Sequence, residues 1–108
     1  MDLKKDLDSK ELLQLVTFRL GNEEFSLDIL RVQEIIRHME LTRVPRTPEF
    51  VDGVINLRGR VIPVLDLRMR FGLPTGERTN ETRIIVVDVD SRTVGLKVDA
   101  VSEVLRLP

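Results

Sequence analysis

Few side chains in this 108-residue sequence have the types and spacing that catalysis requires. The one histidine, His38, lies in the charged stretch from Arg37 to Glu40, and the chain has no cysteine. This composition excludes a thiolate nucleophile, a disulfide, a thiolate metal site and a metal site built from several histidines. A single histidine in such a stretch is more simply a solvated side chain than a catalytic base or a ligand.

Paired carboxylates can carry out general acid–base chemistry, and Asp88 and Asp90 lie two residues apart. They end an apolar run beside a turn, where solvated carboxylates are the simpler interpretation. Gly53 and Gly59 belong to no phosphate-binding pattern and are typical of turns or close packing. The sequence therefore predicts no enzyme, no metal site and no cofactor.

The most unusual segment is basic although it is rich in apolar residues: it reads "NLRGRVIPVLDLRMRFGL" and covers residues 56–73. Its charged residues are four arginines and one acid, namely Arg58, Arg60, Arg68, Arg70 and Asp66. The whole chain has a net charge of −1, so no overall charge attracts it to nucleic acid or to anionic membranes. It also has no Trp and no Tyr to stack on the bases of a single strand.

A protein-binding surface is the interpretation that remains for this basic segment. Arg58 and Arg60 flank Gly59 beside an apolar run, and arginine next to apolar surface is common in interface hot spots. The alternative is that the arginines form a solvated outer face with no binding role.

Three β-hairpins are predicted, because alternating apolar runs flank the short turn segments Gly21–Glu23, Gly59 and Ser91–Arg92. Asp28 is expected to cap one helical turn that leads into a strand, and Asp66 is expected to cap a second short helix. Short strands and tight turns indicate an all-β barrel or sandwich.

The first twelve residues are charged throughout and predict a flexible N-terminal tail, residues 1–12. They lack the apolar core of an export signal, and no apolar run long enough to span a membrane follows them. A cytoplasmic location is therefore the default expectation.

Several segments match one family in the same order along the chain. Besides residues 56–73, these are "FRLGNEEFSLDILRVQEII", "TRVPRTPEFVDGVINLRG" and "VGLKVDAVSEVL". Together they closely resemble the CheW-like chemotaxis coupling, or adaptor, protein family, over roughly residues 13–107. The resemblance implies an all-β CheW-like domain, residues 13–108, made of two small intertwined β-barrel subdomains with short helical turns and a shared apolar seam.

The resemblance also implies a non-catalytic adaptor that bridges the cytoplasmic hairpin of a chemoreceptor (a methyl-accepting chemotaxis protein) and the regulatory domain of the CheA kinase. Such a protein works in the cytoplasm, at receptor arrays on the inner side of the membrane. Positions that match the family's receptor-binding groove are Val32, Glu34, Ile35, Gly53, Asn56, Arg58, Val101 and Val104. Positions placed near the kinase contact are Leu41, Arg43 and Val44. On this view Arg58 carries the function, Arg60 at most assists it, and Arg68 and Arg70 belong to a solvated face.

Family members normally continue past "VSEVL" with further strands and a closing helix, whereas this sequence ends at Pro108. The resemblance therefore predicts a C-terminally incomplete domain, which is either a truncated product or completes its sheet by self-association through unpaired strand edges. Two alternative functions stay open: a β-barrel that binds a small molecule or nucleotide, and a regulatory CheW-like fragment of a larger kinase or of a CheV-type protein.

Overall fold

A computed structural model describes residues 13–74 and 78–107 of the chain, with side chains described for residues 14–74 and 78–102. The predicted tail, residues 1–12, lies outside this part. Eight strands run through the described residues: β1 (Leu13–Leu20), β2 (Glu23–Asp28), β3 (Val32–Arg37), β4 (Val51–Leu57), β5 (Arg60–Asp66), β6 (Arg83–Val89), β7 (Arg92–Val98) and β8 (Ala100–Leu107). A 3-10 turn, Ile29–Arg31, precedes β3, and a short α-helix, α1 (Leu67–Arg70), follows β5.

The three predicted hairpins are confirmed as the antiparallel pairs β1–β2, β4–β5 and β6–β7. Arg58 and Gly59 in the second turn have φ of 52° and 83°. Positive φ at both central residues matches the right-handed twist of the flanking strands in a two-residue hairpin loop. The third turn lies one residue earlier than predicted, at Asp90–Ser91, because Arg92 already pairs with Val89.

Both predicted helix caps are present. The Asp28 carboxylate accepts a hydrogen bond of 2.9 Å from the backbone N–H of Leu30 at the 3-10 turn. The Asp66 carboxylate accepts one of 3.3 Å from the N–H of Met69 in α1. Each cap satisfies a backbone donor that the short helix leaves without an internal partner.

The strands form a three-stranded sheet of order β2-β1-β8 and a five-stranded sheet of order β3-β6-β7-β5-β4. In the larger sheet β3 and β4 lie at opposite edges, yet the chain just after β3 returns to β4. Thr42 and Val54 exchange two backbone hydrogen bonds of 2.9 and 2.8 Å. The five-stranded sheet is therefore curled until its two edges meet.

Strand β6 separates two apolar cores. Ile84 and Val86 are buried in one core, together with Ile55, Ile62 and Val64. Ile85 and Val87 point the opposite way into the other core, which includes Val16, Phe18 and Leu20 of β1. A strand buried on both faces explains the unbroken run of four apolar residues, since neighbouring side chains of a strand alternate between its faces.

The all-β fold with two subdomains around a shared apolar seam is thus confirmed. Sheet β2-β1-β8 covers one face of β6, and the curled five-stranded sheet encloses the other. The curling of the five-stranded sheet brings β3 close to the β4–β5 turn, where the candidate site lies.

Candidate protein-binding site

Arg58 lies in the two-residue turn that joins β4 and β5. The side-chain oxygen of Asn56 accepts a hydrogen bond of 3.0 Å from the backbone N–H of Gly59. This bond stabilises the turn, so Asn56 helps to fix the position of Arg58. Asn56 is itself exposed next to Arg58.

The guanidinium of Arg58 contacts the carboxylate of Glu34 on β3. The Arg58 side chain nevertheless keeps 69% of its surface exposed, against 30% for Glu34. The ion pair therefore orients the guanidinium while leaving most of it open to a partner. Sequence analysis singled out both residues but did not predict their contact.

A second set of polar contacts lies beside this pair and involves residues that sequence analysis did not assign to the site. Arg60 donates a hydrogen bond of 2.8 Å to the Thr93 hydroxyl and a weaker one of 3.5 Å to the Gln33 side chain. Gln33 and Thr93 also contact the Asp88 carboxylate. Only alternation along β3, which places Gln33 outward with Ile35, could have indicated Gln33 in the sequence.

Gly53 is buried under the segment that follows β3, so it offers little surface to a partner. A Cβ atom at this position would lie 2.7 Å from the carbonyl oxygen of Thr42 and 3.2 Å from the Leu41 side chain. The register of β4 against β5 also shifts between Val51 and Gly53. Gly53 thus allows the close backbone approach that joins the two edges of the sheet.

The four apolar residues assigned to the groove differ in burial and in the strand on which they lie. Val32 and Val101 are half-buried, and both pack against the core cluster that includes Val16 and Phe18 of β1. Ile35 lies on the outer face of β3 and is 37% exposed. Val104 pairs with Val16 through the backbone, and its side chain lies outside the described part.

The three residues assigned to the kinase contact follow β3 and differ in burial. Leu41 packs against the core that holds Ile84 and Val86. Arg43 and Val44 are exposed, and both line a cleft formed with residues 45–49, 51 and 52. This segment precedes β4, whereas the Arg58 turn follows β4.

A family model described as CheW-like domain matches residues 14–108. The chain belongs to the CheW-like domain family. The chemotaxis protein CheW of Helicobacter pylori is 40% identical over 103 residues, which is 95% of this chain and 62% of that protein. The chemotaxis protein CheW of Rhizobium meliloti is 47% identical over 92 residues, 85% of this chain and 59% of that protein.

A solved structure is also similar to this CheW-like domain. The crystal structure of scaffolding protein TtCheW from Thermoanaerobacter tengcongensis superposes with a TM-score of 0.85 at 43% identity. The match covers 89% of this chain and 66% of that one. The CheW-like domain described here thus spans about 60% of the length of the curated relatives it matches.

Arg68 of the CheW-like domain lies in an ion pair, so the expectation that it belongs to a solvated face is wrong. Its Nε and Nη2 atoms donate to both carboxylate oxygens of Asp99, at 2.8 and 2.6 Å. Asp99 also accepts a hydrogen bond of 2.6 Å from the N–H of Gly21 in the β1–β2 turn. This pair therefore joins α1, the β7–β8 connection and the smaller sheet. Arg70 is exposed, as expected, and lies over the Phe50 ring.

The pKa of Asp99 reflects these contacts. Burial alone would raise it, but the hydrogen bonds from Arg68 and from Gly21 outweigh burial and hold the pKa below its ordinary value. The hydrogen bond with Asp99 likewise raises the pKa of Arg68. Asp99 is therefore ionised in the folded domain at neutral pH.

A second internal ion pair involves Lys97 of β7. Its ammonium lies 2.7 Å from an Asp52 oxygen and 3.4 Å from an Asp66 oxygen. Burial acts to lower the pKa of Lys97, but the hydrogen bond to Asp52 and the charge of Asp66 together raise it. Each group of this cluster has an opposite charge nearby, so the cluster offers no free acid or base.

Within the described residues, no group of three or more histidine or acidic side chains is arranged to hold a metal ion. Over the same residues, no helix has the length and apolar character needed to cross a membrane. The chemistry that the exposed site supports is recognition, through a positioned guanidinium with polar neighbours.

Proposed function

We propose that this CheW-like domain is a non-catalytic adaptor that couples the cytoplasmic hairpin of a chemoreceptor to the regulatory domain of the CheA histidine kinase. The observation that carries the proposal is the match to CheW-like proteins over residues 14–108, among them a structure described as a scaffolding protein. The proposed location is the cytoplasm, at receptor arrays on the inner side of the membrane.

In this proposal the receptor lies against the surface around Arg58. The supporting feature is a guanidinium that the turn and Glu34 hold in place while most of it stays exposed. Carboxylates of a receptor hairpin can pair with it, and Val32, Ile35, Val101 and Val104 are the apolar positions that the resemblance assigns to the same groove.

A pull-down with a purified receptor cytoplasmic fragment tests this assignment. We expect Arg58→Glu to lose most of the bound receptor, and Arg70→Glu, an equal charge change at an exposed arginine on α1, to retain it. Equal retention by the two variants would contradict the receptor assignment.

A charge exchange separates two roles for Arg58. The double variant Glu34→Arg, Arg58→Glu keeps an ion pair between β3 and the turn but presents the opposite charge outward. If Arg58 contacts receptor carboxylates, the exchange does not restore binding. Full restoration would show that Arg58 acts only by pairing with Glu34.

The kinase contact is proposed at Leu41, Arg43 and Val44, where the exposed Arg43 and Val44 are available to a partner. Val44→Asp is expected to weaken retention of the CheA regulatory domain, whereas Val61→Asp, at a more exposed valine of β5, is not. The same effect from both substitutions would argue against this position.

Self-association is a further part of the proposal, because β8 pairs with β1 alone among the described strands and leaves its other edge open. Light scattering that gives a single monomeric mass across the micromolar range would rule it out.

The alternative of nucleotide binding is tested by calorimetry with purine nucleotides, for which we expect no saturable heat.

A further inference from the structure

A cleft of about 600 Å³ lies at the end of β3 where that strand meets the start of β6. It is lined by basic and neutral polar side chains: Arg37, His38, Arg78, Thr79, Asn80, Thr82 and Arg83. No described residue of this lining carries a carboxylate. We call it the basic cleft.

Two of its arginines are placed side by side by the sheet. Arg37 of β3 and Arg83 of β6 are direct partners in the antiparallel ladder. Like charges directly opposite on neighbouring strands repel each other, so this arrangement costs free energy unless a negative charge lies nearby. The described ion pairs include neither arginine.

Arg83 is held in position by the loop that precedes β6. Its Nη1 atom donates to the backbone carbonyls of Asn80 and Thr82, at 2.7 and 2.9 Å. Carbonyl contacts orient the guanidinium but leave its full positive charge uncompensated, and the other nitrogen atoms stay available.

Arg78 is oriented by a contact with His38. Its Nη1 atom lies 2.8 Å from Nδ1 of His38. Burial, together with the charges of Arg78 and Lys97, lowers the pKa of His38, so this ring is neutral at pH 7 and accepts the hydrogen bond. Two acids near the cleft in the described part of the chain have partners of their own: Asp52 pairs with Lys97, and Glu81 lies 3.7 Å from Arg19.

The chemistry of the lining favours carboxylates over a single phosphate. Phosphate sites commonly use several free backbone N–H groups. Here the N–H groups of Thr79, Glu81 and Thr82 donate within the loop, at 2.9, 3.0 and 3.2 Å. The cleft instead holds three guanidiniums, from β3, from the loop before β6 and from β6 itself. Each of them can bind a carboxylate through two parallel hydrogen bonds, so the cleft can bind several carboxylates at once.

We propose that the basic cleft binds an acidic segment of a partner protein, through Arg37, Arg78 and Arg83. This surface is separate from the Arg58 turn. Glu34, which contacts Arg58, precedes Arg37 by three residues, about 10 Å along a strand, and side chains at these two positions point to opposite faces of β3.

Fluorescence anisotropy with a labelled hexaglutamate peptide tests the proposal on the whole chain. We expect saturable binding that weakens as salt is added, and a loss of affinity of about tenfold or more in the double variant Arg37→Gln, Arg83→Gln. The control Arg70→Gln, Arg92→Gln makes the same change in net charge away from the cleft, and we expect affinity within about twofold of wild type. Arg92 lies at the opposite end of the β6–β7 hairpin from Arg83.

The single variant Arg37→Gln guards against a folding defect, because it removes no hydrogen bond found among the described residues, and it should also weaken binding. If the cleft double variant and the control double variant lose the same affinity for the peptide, the effect depends only on net charge and the proposal is overturned. Inorganic pyrophosphate that displaces the peptide at concentrations below the peptide's own dissociation constant would overturn the assignment to carboxylates.

Discussion

The guanidinium of Arg58, in the turn that follows β4, contacts the carboxylate of Glu34 on β3, although β4 and β3 are the two outermost strands of the five-stranded sheet. In a flat sheet these strands would be about 19 Å apart, since neighbouring strands are separated by about 4.8 Å. The contact therefore depends on the curling of the sheet, which the Thr42–Val54 bridge completes.

This ion pair is expected to contribute little to stability. Because Arg58 is 69% exposed, water and salt screen its attraction to Glu34. We predict that Arg58→Ala changes the free energy of unfolding by less than about 1 kcal/mol, as measured by urea denaturation. A larger loss would mean that Arg58 supports the fold, and a loss of receptor binding in its variants would then need another explanation.

Replacing Gly53 should be far more damaging than replacing the turn glycine. The new Cβ in Gly53→Ala would lie 2.7 Å from the Thr42 carbonyl oxygen, so the bridge between the sheet edges must shift. We predict a loss of roughly 2–4 kcal/mol in the free energy of unfolding.

Gly59→Ala is the control for that prediction, because its φ is 83° but no atom lies within 4 Å of the added Cβ. This variant measures only the cost of placing an alanine in the left-handed backbone conformation, which is roughly 1–2 kcal/mol in the free energy of unfolding. Similar urea midpoints for the two variants would show that the approach of Thr42 is not what requires glycine at position 53.

The pair Arg68–Asp99 should make stability depend on pH in the acidic range. Since the folded state holds the pKa of Asp99 below its ordinary value of 3.8, the unfolded chain takes up a proton first as the pH falls. The contribution of Asp99 is therefore present above pH 3.8 and is lost as the pH falls through the lower folded pKa.

Thermal melts of wild type and Asp99→Asn between pH 7 and pH 2 measure this contribution as a difference. We expect the variant to be less stable at pH 7, and the two melting temperatures to converge in acid. Asp90→Asn, at an exposed turn residue with no described hydrogen bond, should follow wild type throughout. A constant gap between wild type and Asp99→Asn would contradict the linkage.

The two cores can be tested separately through adjacent residues of β6. Ile84 and Ile85 are both fully buried, one in each core. We predict that Ile84→Ala and Ile85→Ala each cost roughly 2–5 kcal/mol, whereas Val61→Ala, at a valine that is 68% exposed, stays within about 0.5 kcal/mol. If only one isoleucine proves costly in denaturation experiments, β6 is not the shared wall of two packed cores.

Much of the local structure could be predicted from short stretches of sequence. The β4–β5 turn was predicted from Gly59 between apolar runs, and the caps from Asp28 and Asp66 before short helices. These signals act over a few residues, since a turn or a cap is decided by the nearest backbone groups. The predicted position of the β6–β7 turn was wrong by one residue, because Asp90, Ser91 and Arg92 are all polar residues that a turn accepts.

The partners of the charged side chains could not be predicted in the same way. Arg68 and Arg70 look equivalent in the sequence, yet Arg68 pairs with Asp99, 31 residues away, while Arg70 stays exposed. Arginine positions alone likewise did not reveal the basic cleft, because Arg37 and Arg83 become neighbours only when β3 pairs with β6.

The sequence by itself thus determined the family, the order of strands and turns, and the absence of cysteine and of clustered histidine chemistry. Those features depend on residue types and on spacings of a few positions. Only the tertiary structure decided that Glu34 orients Arg58, that Gly53 admits Thr42, and that Arg68 is held by Asp99. Each of these depends on how the curled sheet brings distant segments to within a few ångströms, and no local pattern encodes that distance.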